Sequence, residues 1–117
     1  MNKKQIIKRV KYWKNVFNLN DWDILVTFNK QKNKKETKDF VLGGHTVFNV
    51  EYLLATINFP NPKELEENTI KHELLHIILG EMHSYILNNC DNNTNNWYNH
   101  FNERAIVRLE RIIEKLK

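Results

Sequence analysis

One cysteine in 117 residues, Cys90, leaves no internal disulfide framework to staple a small fold. No run of eighteen apolar residues exists, which excludes a membrane-spanning helix of ordinary length. The basic N-terminus carries Lys3, Lys4, Lys8 and Arg9 but no apolar h-region behind them, so no secretory signal is expected. These absences fit a cytoplasmic location. The length is also too short for two cores, and one domain with one modest core is expected over residues 1–117.

Apolar residues make up 41 % and charged residues 27 % of the chain, the balance of a folded globule rather than a disordered segment. The charge is uneven. Residues 1–38 hold eleven Lys/Arg against three Asp/Glu, and residues 39–117 hold seven against eleven. Such a basic front suggests nucleic acid or an acidic substrate as partner. Its basic residues are almost all lysines, however, without interleaved arginine forks, and a solvated lysine-rich face is the plainer account.

The most informative stretch is Thr69-Ile70-Lys71-His72-Glu73-Leu74-Leu75-His76-Ile77-Ile78-Leu79-Gly80. Two histidines four apart return to the same side of a helix, where both imidazoles can reach one Zn²⁺ at about 2.0–2.1 Å. Glu73, next to the first histidine, can take a proton from water whose pKa the metal has lowered. Leu and Ile fill the remaining positions and would bury the helix, so a charged trio there calls for compensation. Chance supplies only one or two such His-Glu-x-x-His strings per roughly a hundred chains of this composition.

Around that stretch the pattern is mixed. Ile6, Ile7, Val10, Trp13 and Phe17 follow helical spacing over residues 3–18, and Asn18-Leu19-Asn20-Asp21 is a turn signal. Trp22–Phe28, Thr46–Val50 and Leu53–Phe59 read as strands, and Phe40–Leu42 as a short resumption after an exposed loop from Gln31 to Asp39. Gly43-Gly44 offers a tight turn with positive φ available, with His45 just beyond it. Asn61-Pro62-Lys63-Glu64 is a helix start, and one helix is expected from Pro62 to about Leu79, stopped by Gly80. After an asparagine-rich loop, a last helix is expected from Asn96-Trp97 to Leu116. Its buried stripe would be Phe101, Ala105, Leu109, Ile112 and Leu116, widened by Ile106 and Ile113. The fold class is α+β.

Thr69 through Ile78 resembles the active-site helix of the zincin metallopeptidases at every position of the extended pattern. The resemblance implies a zincin-like fold, a Zn²⁺ cofactor, and a peptide or protein substrate cut with Glu73 as general base. It also implies that the strand before this helix, about Leu54–Asn58, is an edge strand that pairs with bound peptide. A catalytic zinc needs a third protein ligand beside His72 and His76. The metzincin register is missed by one residue, because Gly80 lies four and His83 seven after His76. His100 and Glu103 share one face of the last helix. An early glutamate on a helix crossing the His-Glu-x-x-His helix is the gluzincin solution. The segment Asn102–Glu110 is also similar to the C-terminal helix of small SprT-like or phage-type metallopeptidases. Glu103 is therefore the favoured third ligand, ahead of His100 and His83, with Cys90, Asp91 and His45 behind. His83, His100, Tyr85 or Tyr98 would supply a donor for the oxyanion. The alternative function is a catalytically silent zinc-binding module acting through protein or nucleic-acid interaction.

Overall fold

The structure, a computed structural model, describes residues 1–30, 43–80, 82 and 92–115. Among them run helix α1 (Lys3–Val16), strands β1 (Asp23–Thr27), β2 (His45–Asn49) and β3 (Leu54–Asn58), a 3₁₀ turn (Pro62–Glu64), and helices α2 (Glu67–Ile78) and α3 (Asn92–Lys115). The class is α+β, and the described residues form these three helices and a small mixed sheet. None of the described helices is long and apolar enough to cross a membrane. The expected loop from Gln31 to Asp39 and the strand at Phe40–Leu42 lie outside the described residues.

Helix α1 begins in a reciprocal cap. The Asn2 side chain accepts from the Gln5 N–H at 2.8 Å, and Gln5 accepts from the Asn2 N–H at 2.9 Å. It ends where Asn18 turns left-handed, φ 57°, and the Leu19 N–H reaches back to the Lys14 carbonyl at 2.9 Å. Asparagine is among the few residues other than glycine that take this cap conformation readily. Between the caps, Ile6, Val10 and Trp13 are buried, each contributing about 1.5–3 kcal/mol of apolar burial, whereas Ile7 is half exposed.

The sheet order is β1-β3-β2, with β1 parallel and β2 antiparallel to β3. The strand before α2 is thus the central strand, paired on both sides, and not a peptide-docking edge. Ala55 and Ile57 have to be covered, and a strand flanked by two neighbours does so. The pairing register puts Ile24, Ala55 and Phe48 in one inward row and Val26, Ile57 and Thr46 in the next. Thr46 therefore ends an inward row on β2, the strand that packs against α2.

The expected single helix from Pro62 to Leu79 is broken. Leu65 is extended (φ −68°, ψ 129°) and buried in the core, and α2 restarts after Glu66. Asn61 makes no side-chain cap. Instead the N-terminal ammonium of Met1 donates to the carbonyls of Pro62 and Lys63 at 3.2 and 3.3 Å, tying the turn to α1. Seating Leu65 in the core outweighs continuing the helix.

Helix α3 starts earlier than expected, because extending a packed helix by a turn adds one hydrogen bond per residue even through poor helix formers. It is also rotated from the expected stripe. Phe101 and Ile112 are about half exposed, at 52 % and 53 %, while Asn102 and Ile106 are buried and Ile113 packs on the core. That rotation turns Glu103, Glu110 and Glu114 towards α2, where each meets a cationic or imidazole partner.

Candidate metal centre

Ile70, Leu74 and Ile77 recur at helical spacing and bury one side of α2. His72 and His76 are left facing α3, and Glu73 faces β2. Lys71 is buried as well, at 1 % exposure. Its ammonium lies 4.6 Å from the centre of the Trp13 ring, 3.3 Å from Asn68 Oδ1 and 3.4 Å from Glu114 Oε2. A buried cation with an aromatic face, an amide oxygen and a carboxylate is compensated, and it fastens α1 and α3 to α2.

The two imidazoles converge. Their Nε2 atoms stand 3.3 Å apart, Glu103 Oε1 is 3.0 Å from that of His76, and Glu103 Oε2 is 3.4 Å from that of His72. Two donors each about 2.05 Å from a single ion at the tetrahedral angle would be separated by about 3.3 Å. The separation of the two imidazole nitrogens matches that value, and Glu103 brings a different oxygen to each ring at 3.0 and 3.4 Å. Behind His72, Glu110 Oε1 lies 2.7 Å from Nδ1. A carboxylate only accepts, so Nδ1 donates to Glu110, which leaves Nε2 as the nitrogen that would face an ion at the convergence point. The donor set, two imidazoles and one carboxylate, suits Zn²⁺ and other first-row divalent ions. Glu103 is 54 % exposed, so the cluster opens to solvent on the α3 side.

Glu73 is 5 % exposed and accepts a 2.6 Å hydrogen bond from the Thr46 hydroxyl. Burial pushes its carboxyl above the ordinary carboxylate range. The Thr46 bond and the nearby charges of His72 and His45 pull the other way, and Glu103 adds to the rise. Gly44 makes this burial feasible. A Cβ there would stand 3.0 Å from Glu73 Cγ and 3.1 Å from the Phe59 ring, so any larger residue would have to push the carboxylate stem or the ring aside by a few tenths of an ångström. Neither Gly43 nor Gly44 takes a positive φ, and the expected turn role is replaced by this close approach. A cavity of about 270 Å³ opens beside the cluster, lined by Gly43, Gly44, Asn68, Thr69, His72, Glu73 and Glu110.

No family model matches the chain, and no curated protein or solved structure does either. The site has to speak through its own geometry.

Among the described residues, the group able to hold a metal is His72, His76 and Glu103. His100 shares α3 with Glu103 but is not part of it, and its ring instead lies 6.0 Å from that of Phe101. His45 is exposed at the start of β2 and is not part of the group. His83, Tyr85, Cys90, Asp91 and the side chain of Tyr98 lie outside what the structure describes. Two contributors were not anticipated, Thr46 and Glu110. Glu110 follows Glu103 by seven residues, two helical turns along the same face, and that spacing was a readable signal. Replacing Glu110 by alanine is expected to weaken zinc binding by about 10–100-fold, the usual cost of removing a carboxylate that orients a ligating histidine. Competition with a chromophoric chelator measures it. Unchanged affinity would remove Glu110 from the site.

Proposed function

We propose that this protein is a zinc-dependent metallopeptidase of a zincin-like, gluzincin-type kind, with His72, His76 and Glu103 holding the metal and Glu73 as general base. The observation that carries the reading is the convergence of two imidazoles and the Glu103 carboxylate, with ligand atoms within 4.8 Å of one another and Glu73 buried one residue from His72. When bound, zinc supplies a Lewis acid that polarises the peptide carbonyl and acidifies water. The rest of the work belongs to the chain. Glu73 removes the proton from the attacking water and returns it to the leaving amine. The Thr46 hydroxyl fixes which carboxylate oxygen faces inward, and burial makes Glu73 a stronger proton acceptor than an exposed glutamate. Glu110 holds His72 in one tautomer.

The test is metal content together with turnover. Purified protein is expected to carry about one zinc per chain, as three-ligand sites do, and to cleave an unfolded polypeptide. Chelation should abolish cleavage and added zinc restore it. A protein with a full equivalent of zinc that cleaves no unfolded polypeptide would favour the silent binding module instead.

A further inference from the structure

Helix α3 carries a second feature on the side facing away from the core. Arg104, Arg108 and Arg111 recur at i, i+4 and i+7, and all three are exposed. With His100, Glu103 and Val107 they line a groove of about 400 Å³. Arg104 and Arg108 also border a smaller depression of about 220 Å³ beside Phe101 and Ala105. Among the described residues none of the three guanidinium groups has an ion-pair partner, although α3 carries three glutamates. Glu110 and Glu114 are turned towards α2, and Glu103, though it lines the groove, is engaged by both imidazoles, so the arginines repel one another. An arrangement that works against the isolated helix is relieved by an anion arriving from outside.

We infer that this groove binds acidic side chains, aspartate or glutamate, of the polypeptide that the metal centre acts on. The planar guanidinium fork matches a carboxylate with two parallel hydrogen bonds, which a lysine face would not do. Glu103 ties the groove to the centre, because it lines the groove and also reaches both imidazoles. Whatever lies along Arg104 and Arg108 therefore passes the edge of the metal site. A continuous phosphodiester strand there would run its charge over the Glu103 carboxylate, whereas a peptide can place a carboxylate on each arginine and a neutral residue next to Glu103. Arg104 and Arg108 are separated by about 6 Å along the helix axis, close to the rise of about 6.6–6.8 Å between residues i and i+2 of an extended chain. The preferred sequence has acidic residues two apart, on one side of the strand. The choice of a polypeptide as bearer rests on the peptidase reading above.

The test uses three labelled probes on the zinc-loaded full chain. One is a peptide with two glutamates in i, i+2 spacing, the second is the same peptide with glutamines, and the third is a single-stranded oligonucleotide. Fluorescence anisotropy is expected to show the acidic peptide binding about 10-fold or more tighter than its amide counterpart. The double variant R104Q/R108Q should lose that preference. Both side chains are exposed, and their removal relieves repulsion, so circular dichroism should show the fold kept. Equal affinity for the two peptides, or a preference that survives in R104Q/R108Q, overturns the inference. So does oligonucleotide binding that exceeds peptide binding and disappears in the same variant. Cleavage is read separately. Acidic preference in binding without cleavage supports the groove and removes the peptidase reading, and equal cleavage of both peptides does the reverse.

Discussion

Replacing His72 by alanine is expected to weaken zinc binding by on the order of 10³-fold or more, beyond the 10–100-fold that loss of an orienting residue costs. The effect is large because His72 sits at the junction of the cluster. Its Nε2 faces both His76 and Glu103, and its Nδ1 engages Glu110. Without it, Glu103 and Glu110 each lose a partner on α2, and two carboxylates remain on the same side of α3. The seam between α2 and α3 is polar over this stretch, made of Glu103, Glu110 and Glu114 against His72, His76 and Lys71. On α3, Ile106 is buried and Ile113 packs on the core. Metal binding should therefore stabilise the docking of α3 as well as fill the site. Zinc at 100 times its dissociation constant adds about 2.7 kcal/mol to stability, or about 10 °C in Tm for a domain of this size. Calorimetry with and without zinc should show that shift in the natural protein and almost none in His72→Ala. A variant that kept the shift would place the metal elsewhere.

The legible and illegible parts of this site divide by how local their causes are. His72, Glu73 and His76 lie on one helix, and helical spacing alone brings the two histidines to one side. Glu103 was one of several candidates, favoured as an early glutamate of the last helix, and it meets the histidines from the middle of α3 instead, because that helix starts at Asn92. Thr46 and Gly44 were not legible. They meet Glu73 only after the sheet has formed in the order β1-β3-β2, which a list of three strands does not reveal. The edge-strand expectation for Leu54–Asn58 failed for the same reason, since strand order depends on pairings between distant segments. The rotation of α3 failed differently. Apolar spacing at Phe101, Ala105, Leu109 and Ile112 was real, but it competed with a second periodicity, Glu103-Glu110-Glu114, that matched the polar side of α2. An apolar stripe predicts the buried face only when the neighbouring element is apolar too. The break at Leu65 was likewise decided by what the leucine could reach rather than by the helix-start residues before it.

On the proposed mechanism, Glu73→Gln is expected to lower peptide hydrolysis by about 10²–10⁴-fold or more while leaving zinc binding nearly unchanged, because there the side chain would handle protons and lies outside the metal-binding group. Glutamine keeps the shape and still accepts from the Thr46 hydroxyl, so the loss reports on proton transfer rather than on collapse of the site. The same substitution should raise the stability of the metal-free protein at neutral pH. Burial lifts the Glu73 carboxyl in the folded chain above its value in the unfolded chain. Between those two values the folded state holds more protons than the unfolded one, so stability falls as pH rises through that window. Glutamine has no such proton to lose. Thermal denaturation of the metal-free protein from about pH 4 upwards should thus show a downward slope for the natural chain that is reduced in Glu73→Gln, the window starting at the ordinary carboxylate value. A carboxylate that costs stability in its buried place is what the proposed general-base role would require. Retained turnover in Glu73→Gln would end the proton-transfer role. Parallel pH slopes in the two chains would show that burial of this carboxylate carries no cost.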